Sequence, residues 1–250
     1  MYIFRVMRGR NVKNLKVCWI SAGVSSFIAG YLERETIDKF IYIDIDDQHS
    51  DSMRFVKDCE NALGKEIEIL KSPYGSVESA VRAAGGYFRI NRRFAPCTAW
   101  LKKRVRKEWE QKHCEYDITY VWGMDVTERD RAERLKETMF EFQHCFPLIE
   151  RNLTKEDSHG FCAELGIKRP AMYDLGYNNN NCIGCVKGGM GYWNKIRIDF
   201  PDVFESRAKL EREFGNSILK ECYLDELDPT RGRMSEEVQQ ECSIFCMLSM

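Results

Sequence analysis

Proline is scarce in this chain, six among 250 residues, and neither an internal repeat nor a low-complexity linker interrupts it. With 17 glycines, 44% hydrophobic and 31% charged residues, what remains is an ordinary globular profile with apolar material for one sizeable core. An excess of one charge sign is also lacking. Basic residues number 38 and acidic ones 39, so net charge gives no support to nucleic acid or a membrane surface as partner. No apolar run approaches the ~20 residues that span a bilayer, which predicts no membrane association. The opening MYIFRVMRGRNVKNLK lacks the apolar core and small-residue cleavage site of a secretory leader, which predicts a cytoplasmic protein.

Cysteine, in contrast, is abundant: eleven residues. In a reducing compartment these do not form a structural disulfide set. Cys18, within the apolar KVCWI, and the scattered Cys59, Cys114, Cys145, Cys162 and Cys222 read as small hydrophobes or partly exposed thiols. Cys97 remains, with the pair Cys182/Cys185 in NNNNCIGCVKGGMGYWNKIR, and Cys242 and Cys246 in ECSIFC. A C-x-x-C pair lets two thiolates converge on one ion from a tight loop, which is half a metal site; a packed thiol pair is the alternative. After the pair, Tyr192 and Trp193 suit either a face beneath a nucleobase, with Lys195 and Arg197 on phosphates, or a cover over the cysteine loop.

Periodicity supplies the architecture. KVCWI (16–20) is a buried strand, followed by the small-residue loop SAGVSS (21–26) and a helical pattern. Strands over 39–46, 66–72 and 117–125 alternate with helices over 51–64, 76–85 and 97–113, and 200–215 is an amphipathic helix. That alternation predicts an α/β fold, a parallel sheet with helices on both faces. Ligands then sit beyond the carboxyl ends of the strands, so SAGVSS, DIDDQHSD and GMDVTERDR are expected to face one site.

These strand ends carry plausible chemistry. Ser21, Ser25 and Ser26 offer hydroxyls, Ala22 and Gly23 let main-chain N–H groups approach a ligand, and a helix N-terminus follows; the loop suits a phosphate or sulfate, or merely connects strand to helix. Asp125 and Glu128, with Arg129 and Arg131, place carboxylates and phosphate-clamping guanidinium groups past another strand, or make a solvated helix start. Asp44 and Asp46 share one side of their strand and suit a ribose hydroxyl or Mg²⁺, or an acidic turn.

The succession SAGVSS, FIYIDIDDQHSDSMRFVKDCE, APCTAWLKK, GMDVTERDRAERL and FPLIERNLTKED resembles the phosphoadenosine phosphosulfate reductase family of the PP-loop adenine nucleotide alpha-hydrolase superfamily, from about residue 16 to the C-terminus. Against the family's S-G-G-x-D-S loop, Ser21, Gly23 and Ser26 match, whereas Ala22 and Ser25 depart and Val24 stands where many relatives have lysine. The resemblance implies a PP-loop nucleotide-binding domain over 1–165 and a Cys-rich metal-binding region over 166–250 packed on it. It implies an adenine nucleotide (adenylyl sulfate, its 3′-phosphorylated form or ATP) and a four-iron cluster or zinc on Cys97, Cys182 and Cys185, with Cys246 or Cys242 as fourth ligand. Cys242, after Glu241, resembles the catalytic tail cysteine of family reductases, which a thiol reductant protein resolves. The alternatives are ATP-dependent adenylation for sulfur insertion into a nucleic acid or small molecule, and a non-catalytic nucleotide- or metal-sensing module.

Overall fold

The computed structural model describes residues 13–86 and 95–237. Five strands, β1 (Lys13–Ile20), β2 (Lys39–Asp44), β3 (Ile67–Lys71), β4 (Tyr116–Val121) and β5 (Gln143–Cys145), form one parallel sheet in the order β3-β2-β1-β4-β5. The two-residue strand period distributes its side chains between two cores. Leu15, Val17 and Trp19 of β1, with Ile41 and Ile43 of β2, enter one apolar cluster; Cys18, Ile20, Phe40 and Tyr42 enter the other. Both sheet faces are therefore covered, as the apolar strand runs require.

The covering helices follow from the strand order. Helices α1 (Val24–Leu32) and α2 (Asp51–Leu63) connect β1 to β2 to β3 and pack Phe27, Ile28, Phe55 and Val56 on one face. Helices α3 (Val77–Ala84), α4 (Arg104–Lys112) and α5 (Arg129–Thr138) serve the connections into β4 and β5, with Val81, Val105, Trp109 and Leu135 on the other. Right-handed crossovers demand this change of face when the direction of strand addition reverses. The reversal lies between β1 and β4, whose register runs from Lys13 opposite Tyr116 to Cys18 opposite Val121. Edge-to-face aromatic pairs fill both layers, Trp19 on Trp109 at 5.7 Å and Phe27 on Phe55 at 5.9 Å.

The remaining helices are α6 (Pro147–Glu150), α7 (Lys155–Glu164), α8 (Ala171–Asp174), α9 (Met190–Asp199) and α10 (Pro201–Phe214). Residues on both sides of position 165 share one core: Cys182, Cys185, Tyr192, Trp193 and Phe204 belong to the same apolar cluster as Val17, Ile41 and Leu101. Two elements differ from the periodicity. The helix expected from 97 begins as a π-helical turn, Thr98–Lys103, whose wider ring accommodates an extra residue before α4. The fourth strand stops at Val121, because Gly123 turns against α1 and Asp125 caps a short 3₁₀ turn, Val126–Glu128.

Candidate functional site

The loop after β1 lies in the crevice where strand order reverses. Its hydroxyls are tied to one another: Ser26 Oγ lies 2.9 Å from Ser21 Oγ, accepts the Ser21 N–H at 3.0 Å and donates to the Gly23 carbonyl at 2.9 Å. Ala22 is fully buried and left-handed at φ 58°, a conformation costing an L-residue roughly 1–2 kcal/mol. Gly23, the N-cap of α1, supplies no side-chain cap, so main-chain N–H groups at the positive helix end are left to other partners. Tyr173 Oη, from α8, takes one of them, the Val24 N–H at 3.4 Å.

Gly123, just past β4, forms the opposite wall. A Cβ there would lie 2.4 Å from Ser26 Cα and 2.6 Å from Ser26 N, so only hydrogen allows the β4 loop to rest on the backbone of the β1 loop. The charged residues beyond it make a network of their own. Buried Asp125 accepts the Thr127 N–H at 2.8 Å and its hydroxyl at 2.5 Å, Arg131 pairs with Glu128 at 2.5 Å, and Arg129 is exposed, donating to the Ile149 carbonyl at 3.3 Å. Asp44 and Asp46 both face Lys71, at 3.3 and 2.9 Å. The expected arginine clamp and acidic pair thus have intramolecular partners, and in the loop after β1 Ala22, Ser25 and Ser26 are buried while Ser21 is partly exposed.

Sequence reasoning missed what joins this loop to the cysteines: the asparagine run. Arg54 of α2 donates to the carbonyls of Lys168 and Arg169 at 2.7 and 3.2 Å, and Asp51 accepts the Ala171 N–H at 2.8 Å, strapping the later chain across α2. The Arg54 guanidinium holds the Asp51 carboxyl below the ordinary carboxylate range. Asn179, Asn180 and Asn181 are consequently buried, and Asn180 Nδ2 reaches the Ala22 carbonyl at 2.8 Å and Ser52 Oγ at 3.0 Å. Lys155 donates to Asn179 Oδ1 at 2.5 Å and to the Asn178 carbonyl. Nothing in the run itself announces this role; burial makes these residues a polar strut.

The C-x-x-C turn follows directly. Cys182 and Cys185 are buried on either side of left-handed Gly184, at φ 71°. Tyr192 Oη accepts the Cys185 N–H at 2.9 Å and donates to the Cys182 carbonyl at 3.3 Å, clasping the turn from below. Burial, then the neighbouring Cys185, pushes that phenol well above its ordinary value, which keeps it a neutral donor. Asp47 fixes the other side. Its carbonyl accepts the Ile183 N–H at 2.8 Å, its carboxylate accepts the Val77 N–H at 2.6 Å, and buried Arg207 of α10 completes an ion pair with it. Tyr192 and Trp193 cover the cysteine loop, both wholly buried.

Do these residues suit a cysteine-bound metal? Two buried thiols on a preformed turn fit half of a tetrathiolate site. Cys97 borders the same apolar cluster, and the hydroxyl of adjacent Thr98 is buried with no hydrogen-bond partner among the described residues. Among the described residues, no group of three or more His, Cys, Asp or Glu side chains is placed to hold a metal ion, and none of the described cysteines forms a disulfide. Cys242 and Cys246 lie outside the described residues. No helix among the described residues is long and apolar enough to cross a membrane.

Neither a protein-family model nor a curated protein matches this chain.

Proposed function

We propose that this chain is an adenine-nucleotide enzyme of the phosphoadenosine phosphosulfate reductase kind, acting on adenylyl sulfate or its 3′-phosphorylated form. One observation carries the reading: a left-handed, serine-flanked loop at the N-terminus of α1, whose N-cap glycine has no capping side chain, set where the order of a parallel sheet reverses. Such a crevice attracts a phosphate or sulfate through main-chain N–H groups and the helix dipole. The loop's missing lysine and aspartate favour a nucleotide whose sulfate is attacked directly over one whose pyrophosphate must be expelled.

In this reading the Cys242 thiolate attacks the sulfur of the bound sulfonucleotide. An S–S bond forms, the S–O bond to phosphate breaks, and the nucleotide (adenosine 5′-monophosphate from adenylyl sulfate, the 3′,5′-bisphosphate from its 3′-phosphorylated form) leaves with the electron pair. An external thiol then attacks the thiosulfonate, releasing sulfite and leaving a disulfide. Cys182 and Cys185, with Cys97 and Cys246, would hold the metal. Zinc there supplies a structural cross-link, and an iron–sulfur cluster a redox-tunable centre. Tyr192 and Asp47 shape the turn that presents the two central thiols, and the Asn180 strut couples that turn to the nucleotide loop.

Protein purified without oxygen is assayed for sulfite release from each sulfonucleotide, with a dithiol present, and for pyrophosphate release from ATP. Sulfite release that disappears in Cys242→Ser is expected. Pyrophosphate release without sulfite makes the protein an ATP-dependent adenylating enzyme. Nucleotide binding with neither product makes it a sensing module.

A further inference from the structure

Both ends of the segment that carries Gly123 meet on one imidazole. His144, at the centre of β5, is half-buried. Its Nδ1 lies 3.1 Å from Nε1 of Trp122, the residue before Gly123, and its Nε2 lies 2.9 Å from the carbonyl of Met139, the C-cap of α5. The loop after β4 and the helix it leads into therefore begin and end on the same ring.

The partners fix the tautomer. An indole nitrogen only donates and a main-chain carbonyl only accepts, so Nδ1 is the bare acceptor and Nε2 carries the proton. A proton added to Nδ1 would face the indole N–H, donor against donor, whereas the bond to Met139 would survive. Trp122 is buried, so its indole N–H cannot turn to water instead. The main chain of Trp122 keeps its own tie, its N–H on the Cys145 carbonyl at 3.0 Å. Release thus starts at the indole and passes to Gly123, where the β4 loop rests on the backbone of Ser26.

The surroundings set the pH at which this occurs. Lys136 of α5, Glu141 of the turn after it, and Arg106 of α4, which pairs with Glu110 at 3.4 Å, act on the ring. The Tyr120 ring of β4 stacks on it at 6.5 Å and gives its hydroxyl to Glu110, while neighbouring Cys145 packs into the opposite core. Burial holds the imidazole below its ordinary value of 6.5; the Met139 carbonyl and Glu141 oppose the shift, and Lys136 and Arg106 add to it. A folded-state value below the unfolded one means that the neutral ring stabilises the fold fully above pH 6.5, and that this contribution is lost as pH falls through the folded value.

We propose that His144 is a pH-sensitive latch on the crevice: neutral, it holds the loop after β4 against the loop after β1; protonated, it lets go of Trp122 and loosens the contact of Gly123 with Ser26. The proposal goes beyond the nucleotide reading and does not depend on which ligand the crevice takes.

Full-length protein without added ligand is followed by NMR from about pH 8 to 5. The Trp122 indole signal is identified by its loss in Trp122→Phe, and the His144 ring signal by its loss in His144→Asn. The indole N–H is expected to move with the imidazole at one shared midpoint below 6.5. In Trp122→Phe, which removes the bond to the neutral ring, the His144 midpoint is expected to rise by roughly half to one pH unit. Deuterium uptake, corrected for its intrinsic pH dependence, reads the crevice. Residues 21–26 are expected to exchange several-fold faster below the midpoint than above it in the parent, and equally at both in His144→Asn, whose side-chain oxygen replaces Nδ1 with an acceptor that does not titrate. Should His144→Asn fail to fold, Trp122→Phe, with no indole bond to lose, is expected to show the same indifference to pH. An indole signal that ignores the imidazole, or an unchanged His144 midpoint in Trp122→Phe, overturns the latch. Exchange of residues 21–26 that does not follow His144 overturns its link to the crevice.

Discussion

The side-chain amide of Asn180 donates to the main-chain carbonyl of Ala22 at 2.8 Å, joining the asparagine run to the loop after β1 across 158 positions of sequence. Its second hydrogen reaches Ser52 Oγ at 3.0 Å. Truncation to alanine removes a buried donor from both acceptors, which costs about 1–3 kcal/mol. Asn180→Ala is expected to lower the urea midpoint with an unchanged slope and to weaken adenine-nucleotide binding measured by calorimetry. Asn180→Asp, similar in shape but unable to donate when ionised, should do the same. Two variants as stable as the parent would remove the strut from the description.

Ala22 holds a left-handed conformation at φ 58°. Glycine relieves a strain of roughly 1–2 kcal/mol while losing about 0.5–1 kcal/mol to its freer unfolded chain. Ala22→Gly is thus expected to stabilise the protein by up to about 1.5 kcal/mol, and Ala22→Val, β-branched in a fully buried site, to destabilise it. Denaturation midpoints of the pair check both signs. A less stable glycine variant would contradict the strain.

Gly123 lets two loops touch backbone to backbone. A methyl group there must displace Ser26, at a cost of about 1–3 kcal/mol typical of overpacking. Gly123→Ala is expected to reduce stability and, by opening the crevice, nucleotide affinity. Parent-like calorimetry would show that the ligand does not depend on that wall.

Glu211 of α10 is fully buried and accepts the N–H groups of Ile218 and Leu224, the latter at 2.6 Å. Burial raises its carboxyl to about 7, from an ordinary value of 4.5. A folded-state value above the unfolded one means that the native state binds the proton more tightly. The contribution is complete below pH ~4.5 and lost as pH rises through about 7, on the order of 3 kcal/mol in all. Glu211→Gln sacrifices one acceptor at every pH but should flatten that slope. The difference between parent and variant unfolding free energies, measured from pH 4.5 to 8, isolates the group; a constant difference would refute the raised value.

Tyr192→Phe keeps the ring in its buried slot and deletes both hydrogen bonds to the cysteine turn. Any bound iron or zinc is expected to leave this variant faster than the parent under a chelator, whereas Cys182→Ser with Cys185→Ser should contain none. Anaerobic iron, sulfide and zinc analysis provides the check. Metal content equal to that of the parent in the double serine variant would exclude the turn as a ligand.

Much of the scaffold was legible locally. The apolar runs of β1 and β2 and the helix closed by Gly64 depend on strand period, helical spacing and a cap, all of which operate within a few residues. Short β5, at three residues, and buried α9 were not visible. The first is too brief for a period, and the second is covered on enough sides that its polar and apolar residues show no single stripe. Among the site residues, the serine loop stood out by composition. Tyr173, Asn180, Asp47, Arg207 and Gly123 did not, because each acts on a residue remote in the chain.

By itself the sequence determined the alternation of strands and helices, and with it a parallel sheet whose strand ends converge, since period, propensity and crossover handedness are local or generic constraints. Tertiary structure decided which polar groups are satisfied within the fold and which remain to face a ligand. It turned Asp125, Glu128 and Arg131 inward, directed Asp44 and Asp46 to Lys71, and buried an asparagine run as the link between the loop after β1 and the cysteine turn. The physical reason is desolvation: a buried polar group must find a partner, and which partner lies within 3 Å depends on the packing of the whole chain.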